Sequence, residues 1–368
     1  GVSATSGNGF GLLVDGEAAF SAIFDAIDAA QDYLLVQFYI FRDDEIGRAL
    51  KQRLIDKARA GVSVRVLYDR IGCVGLPRSY LDDLRASGVD IRDVHAMRAR
   101  ANRFQINVRN HRKVVIADGT VGFLGGFNVG DEYLGLSERF GPWRDTHCRI
   151  EGPVVAQLQV VFCEDWYWAS EESLIDKINW TPGTSDEERD SLLLAMGPGD
   201  DFESGTLYFV NAIVAARERI WIATPYFVPE TEILTALKLA ALRGVEVRVL
   251  VPEVIDHYLP WLAAFAYFDE VRAAGVQIWR YQDGFMHQKV LVVDDAIASV
   301  GTVNLDNRSC RLNFEVTAIF FDEGAARDTA RMLEHDFARS RRLTKPLSEQ
   351  NWRKRFGAPF ARLFAPAL

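Results

Sequence analysis

No apolar run in the 368 residues approaches the roughly 18 that a membrane-spanning helix needs, and no secretory signal pattern is present. The stretch Leu259 to Phe268 is too short and runs into Asp269 and Glu270. Cysteine is scarce. Cys73, Cys148, Cys163 and Cys310 include no CxxC pair, so their spacing fits neither a zinc site nor a redox motif and reads as free thiols in a reducing compartment. An excess of basic charge is also missing. A formal charge of −9 counts against non-specific nucleic-acid binding and requires any contact with an anionic membrane to use a local patch. One basic stretch runs from His95 to Arg109 and holds Arg98, Arg100 and Arg103. What is present is ordinary globular composition, 49% hydrophobic and 25% charged, in a length that suits two domains. The chain opens at Gly1 and not at Met, which reads as a processed or trimmed product.

The chain repeats itself. Ala26 to Tyr39 and Ala212 to Tyr226 each read as a helix end running into an apolar strand. Ala60-Gly61-Val62-Ser63-Val64-Arg65-Val66-Leu67 matches Arg243-Gly244-Val245-Glu246-Val247-Arg248-Val249-Leu250, and Gly88 matches Gly275. Each glycine follows an amphipathic stretch, where a helix ends before a strand. Strands alternating with helices predict an α/β fold of two similar repeats. Each repeat is expected to be a mostly parallel sheet flanked by helices, packed about a pseudo-two-fold axis. Residues 181–205, rich in Gly, Pro, Ser and acidic residues, read as the linker, which gives repeats at 1–195 and 196–368.

Within the repeats lies the motif His-x-Lys-x-x-x-x-Asp. The first copy holds His111, Lys113 and Asp118 and the second His287, Lys289 and Asp294, each followed by a glycine-led turn and an asparagine, Asn128 or Asn304. Every second-copy residue lies 176 positions after its counterpart. On a strand, positions i and i+2 share a face, so each His and its Lys point the same way. If the halves pack face to face, two imidazoles and two ammonium groups converge on one space. Lysines hold an anionic phosphate, and asparagine amides donate to its oxygens. One imidazole attacks phosphorus while the other protonates the leaving alkoxide and then serves as base. The lysines supply the positive charge, so no metal and no cofactor is expected.

Each half also carries a carboxylate suited to fixing an imidazole tautomer, Asp145 in the first and Glu315 in the second. Asp118 and Asp294 complete the motif and count with the catalytic set, although their places at strand ends read as structural, tying the halves together. His95, His147, His257 and His335 read as ordinary satisfied residues, and His147 is expected to face away from nearby Asp145.

These paired motifs, with their Gly-x-x-Asn tails, resemble the signature of the phospholipase D superfamily. Asn110-His111-Arg112-Lys113, Gly125-Gly126-Phe127-Asn128 and Asn304-Leu305-Asp306-Asn307-Arg308-Ser309 are most similar to bacterial cardiolipin synthases, from about Leu12 to the end. Two departures are Thr302, where serine is frequent, and Cys73 after Asp69-Arg70-Ile71-Gly72. The resemblance implies transfer of a phosphatidyl group from a phospholipid to phosphatidylglycerol, with His111 as nucleophile and His287 as acid and base. It implies phospholipid substrates and an anionic membrane surface as partners, nucleic acid not among them, at the cytoplasmic face of the bacterial inner membrane. The motifs serve hydrolysis of a phospholipid or nucleic acid equally well, and an inactive scaffold is the non-enzymatic alternative. Trp352 to Phe364, aromatic and arginine-rich, is one candidate membrane contact, against packing as a C-terminal helix. Tyr258, Trp261, Phe265, Tyr267 and Phe268 are a candidate acyl-chain groove, against core packing.

Overall fold

The computed structural model describes residues 3–95 and 108–368, so Arg98, Arg100 and Arg103 of the basic stretch lie outside the described residues. The first half runs β1 (Thr5–Val14), α1 (Asp15–Ala29), β2 (Tyr33–Phe38), α2 (Glu45–Arg59), β3 (Ser63–Tyr68), α3 (Arg78–Ala86), β4 (Asp90–Asp93), β5 (Arg109–Asn110), β6 (Val114–Ala117), β7 (Val121–Gly125), β8 (Trp143–Arg144), β9 (Thr146–Glu151) and α4 (Val154–Ser170). The second repeats the plan with β10 (Arg189–Met196), α5 (Ser204–Ala215), β11 (Arg219–Ala223), β12 (Phe227–Val228), α6 (Thr231–Leu242), β13 (Glu246–Pro252), α7 (Tyr258–Arg272), β14 (Gln277–Tyr281), β15 (Phe285–Met286), β16 (Val290–Val293) and β17 (Ile297–Gly301). It ends with β18 (Leu305–Asp306), α8 (Asn307–Arg311), β19 (Asn313–Phe321), α9 (Glu323–Ala338), β20 (Ser340–Arg342) and α10 (Trp352–Arg362). Helix α2 shows the local logic. Ile46, Leu50 and Leu54 recur at a helical spacing and are buried. The Asp44 side chain caps the helix by accepting from the Gly47 N–H. Past its end Gly61 takes φ +94°, which suits glycine, and Gly244 repeats this at +91°.

Among the described residues one sixteen-strand sheet carries the fold, in the order β4-β3-β2-β6-β7-β9-β1-β10-β19-β17-β16-β11-β13-β14-β20, with β5 joined to β19. Read outward from the β1–β10 junction, equivalent strands follow in both directions, as a two-fold relation requires. The expectation of a mostly parallel sheet needs correction. The outer strands β2-β3-β4 and β11-β13-β14 pair parallel, whereas the inner ladders are antiparallel. Asp118-Gly119-Thr120 joins β6 to β7 and Asp294-Asp295-Ala296 joins β16 to β17, and turns this short connect antiparallel neighbours. The boundary between 195 and 196 is corrected too. It cuts β10, whose place mirrors that of β1, and the Gly and Pro residues at 197–199 draw the reading past a strand that buries Ser191, Leu193 and Met196.

Helices α4 and α9 cover one face of the sheet in a core that runs through both halves, from Leu35 and Val114 to Trp221 and Val290. The opposite face carries separate cores, under α1 to α3 in one half and under α5 to α7 with α10 in the other. No helix among the described residues is long and apolar enough to cross a membrane.

Candidate active site

Two short parallel pairings cross between the halves and aim the histidines. β5 pairs with the start of β19, and β8 pairs with β15. The His111 N–H donates to the Phe314 carbonyl at 2.9 Å, and the His287 N–H to the Arg144 carbonyl at 2.8 Å. Each histidine is thereby seated on backbone of the other repeat. The residue after each carbonyl is a carboxylate, so the orienting pairs also cross. His111 Nδ1 lies 3.0 Å from Glu315 Oε2, and His287 Nδ1 lies 2.8 Å from Asp145 Oδ2. Glu315 also accepts from Asn313 Nδ2 at 3.0 Å.

Both histidines line one cavity of about 410 Å³, together with Asn128 and Asn304. Asn128 is held by the Ile40 N–H and by Tyr133 Oη, and buried Asn304 Oδ1 has no hydrogen-bond partner among the described residues. The lysines sit behind the rings. Lys113 Nζ donates to the His111 carbonyl at 2.6 Å, whereas Lys289 Nζ lies 2.8 and 3.0 Å from the two ring nitrogens of His287. Among the described residues His111 Nε2 makes no such contact with a lysine. Tyr39 meets His111 edge-on at 5.4 Å, and Trp143 lies 5.4 Å from His287.

Burial dominates the electrostatics. It pushes both imidazoles below their ordinary range, Glu315 opposing this at His111 and Lys289 adding to it at His287. Burial likewise drives Lys113 well down and brings Lys289 to about 8. It would raise Glu315, but the charge and hydrogen bond of His111, with Lys113, hold that carboxyl low, while burial leaves Asp145 raised.

Behind each pair stands an arginine that holds the carbonyl of the orienting residue. Arg112 donates to the Glu315 carbonyl at 3.1 Å and to Asp165 on α4 at 2.7 Å. Arg144 donates to the Asp145 carbonyl at 2.6 Å and to Asp336 on α9, which also takes Gln288 Nε2 at 2.8 Å. Gly126 makes room for Asp145, since a Cβ there would stand 2.0 Å from its carboxylate.

Asp118 and Asp294 are not at this centre, which corrects their place in the catalytic set. Each sits past the far end of its strand at positive φ and accepts backbone N–H groups, Asp118 from Gln31, Asp32 and Tyr33 and Asp294 from Arg217, Glu218 and Arg219. They fasten β6 to β2 and β16 to β11 within one half, rather than tying the halves together. His147 is corrected in orientation. Two residues on from Asp145 it shares that residue's side, interacts with its charge, and accepts from the Phe127 N–H at 3.3 Å; burial lowers it to about 3, so it stays neutral. His95 is a satisfied buried residue, 2.9 Å from Asp69. His257 is not bland, because it lines the cavity.

Sequence reasoning missed other cavity residues: Tyr39, Glu132, Tyr226, Asp256 and Arg308. Tyr39 and Tyr226 had a signal, since both follow the same strand of the repeat. The aromatic cluster on α7 divides. Phe265, Tyr267 and Phe268 are core, while Tyr258 is exposed.

The chain matches the family described as "Cardiolipin synthase, PLD-like domain" over residues 23–166 and 209–339. Cardiolipin synthase A of Pseudomonas fluorescens is 48% identical over 361 residues, covering 97% of this chain and 74% of that protein. Cardiolipin synthase A of Pseudomonas entomophila is 49% identical over 363 residues, with the same coverage. Among solved structures, phosphatidylserine synthase of Haemophilus influenzae superposes with a TM-score of 0.73 at 15% identity, covering 100% of this chain and 97% of that one. At that identity the likeness speaks for the fold alone.

Proposed function

The chain belongs to the cardiolipin synthase family of the phospholipase D superfamily and is a phosphatidyltransferase; from that premise we propose that it passes a phosphatidyl group from a phospholipid to phosphatidylglycerol through a phosphohistidine on His111. The observation that carries the reading is the crossed pair of His–carboxylate contacts on one cavity.

In the proposed sequence, His111 Nε2 attacks phosphorus, the bond to the headgroup oxygen breaks, and His287 gives that oxygen a proton. Glu315 stabilises the His111 cation that forms. The acceptor hydroxyl then loses its proton to His287, its oxygen attacks phosphorus, and the N–P bond breaks. Lys113, Lys289, Asn128 and Asn304 hold the non-bridging oxygens. With phosphatidylglycerol as donor and acceptor, the products are cardiolipin and glycerol.

Incubation with defined phosphatidylglycerol vesicles and mass analysis of the lipids tests this. Cardiolipin with released glycerol is the expected outcome. Phosphatidic acid as the sole product would mean that water, and not alcohol, resolves the intermediate.

A further inference from the structure

Resting on the transferase reading, we propose that the outer face of α10 is the membrane-docking surface, an in-plane amphipathic helix that seats the enzyme on an anionic phospholipid bilayer. Trp352, Phe356, Phe360 and Leu363 are 69%, 68%, 63% and 73% exposed. Their spacing puts them on one stripe of the helix, and Phe364 extends it against the Phe360 ring. The opposite stripe is already used. Ala358 and Ala361 are buried, Gly357 abuts Leu262 of α7, and Lys354 lies over the Phe265 ring at 4.3 Å. The helix therefore cannot turn its aromatic stripe inward without giving up its seat on α7. A soluble protein seldom leaves so many large apolar side chains together in water unless a partner covers them.

Charge selects the partner. Residues 350–368 hold no acidic residue, in a chain whose net charge is −9; with Lys354 set over Phe265 and Arg362 paired to Glu270 of α7, Arg353 and Arg355 are the cations left beside the aromatic stripe. A cationic rim around an aromatic face suits an anionic lipid interface, where rings enter the acyl boundary and arginines meet phosphates. A second copy fits less well, because a two-fold contact sets the same face against itself and opposes like charges. The seat of α10 also leads to the site. α7, on which it rests, begins beside His257 and Pro260 of the cavity lining and exposes Tyr258. The docked helix and the cavity lining thus share α7.

The test is co-sedimentation of the chain with vesicles of phosphatidylcholine alone or mixed in equal parts with phosphatidylglycerol, alongside turnover of short-chain, monomeric phosphatidylglycerol. Wild-type protein should sediment with the mixed vesicles and be released by high salt. Trp352→Ser/Phe356→Ser/Phe360→Ser should lose at least about tenfold in vesicle affinity, with short-chain turnover changed far less. Vesicle binding equal to wild type in the triple variant would overturn the proposal, as would a wild-type dimer that the triple variant converts to monomer. Absence of cardiolipin from short-chain substrate with wild-type protein would count against the transferase reading and leave the vesicle result standing on its own.

Discussion

His111 Nδ1 and Glu315 Oε2 lie 3.0 Å apart although 204 residues separate them, and His287 meets Asp145 across 142 residues in the mirror arrangement. Neither repeat holds a complete His–carboxylate pair, so neither should be active without the other. Glu315→Gln keeps the shape of the side chain and removes its charge. It should therefore slow formation of the His111 intermediate by about 10²–10⁴-fold, measured as single-turnover labelling with radioactive phospholipid. A variant that labels at the wild-type rate would show that the carboxylate does not assist His111.

Lys289 sets a pH limit. Burial brings its ammonium from an ordinary 10.5 to about 8, so the charge is present below that pH and lost as pH rises through it. The alkaline limb of kcat/KM, which reports the free enzyme, should accordingly fall near pH 8. Lys289→Arg, whose guanidinium stays protonated, should lose that limb even where its rate is lower. A limb unmoved by the substitution would assign it to another group.

Much of this site was legible in the sequence because the repeat keeps its polar residues in register. A uniform offset for His, Lys, Asp and Asn is an intrinsic pattern, and strand periodicity puts each His beside its Lys. Crossing was not legible, because the β5–β19 and β8–β15 pairings are two residues long and carry no periodic signal. The role of the motif Asp was misread for a related reason. It serves a neighbouring strand of its own half, and sequence spacing along one strand says nothing of what lies beside it. The antiparallel inner ladders hid behind helix–strand alternation, which holds only for the outer strands. Arg112 and Arg144 give no repeat signal either, since one sits in the motif of its half and the other before the orienting carboxylate.

Asp294 should matter for stability and not for chemistry. Asp294→Asn weakens the acceptor for three backbone N–H groups and is expected to cost about 1–3 kcal/mol in denaturant unfolding. Burial opposes its charge, yet the N–H groups hold the carboxyl below its ordinary 3.8. Its stabilisation is therefore present above that value and lost as pH falls through the lower, folded one. Turnover that collapses in a fully folded Asp294→Asn protein would return this residue to the catalytic set.

The buried Arg112–Asp165 pair should behave as a unit. Arg112→Met removes the counter-charge of Asp165, to which, among the described residues, only the Gln37 and Asn110 amides then donate, and is expected to destabilise by about 3–5 kcal/mol, whereas Arg112→Met/Asp165→Asn, which keeps an acceptor for those amides, should recover part of that loss in equilibrium unfolding. Because Arg112 also holds the Glu315 carbonyl, the double variant should regain stability without regaining full activity. Equal recovery of both would reduce the arginine to a packing element.

Four free thiols should be quiet. Burial raises Cys73 and Cys163 to about 12 and raises Cys148 and Cys310 as well. Native protein should take up little alkylating reagent at pH 8 and all four equivalents after denaturation, read by intact mass.

Covalent trapping reaches the centre of the account most directly. Protein is mixed with a phospholipid radiolabelled at phosphorus whose headgroup is replaced by a nitrophenol leaving group, quenched, digested, and the label located by peptide. His287→Asn should accumulate label on His111, because the first step can occur where a good leaving group needs no acid, while resolution cannot. His111→Asn should carry none. Label on His287 in the His111→Asn protein, or turnover by wild type with no histidine-bound label at any time, would contradict a single shared site in which His111 takes the phosphatidyl group.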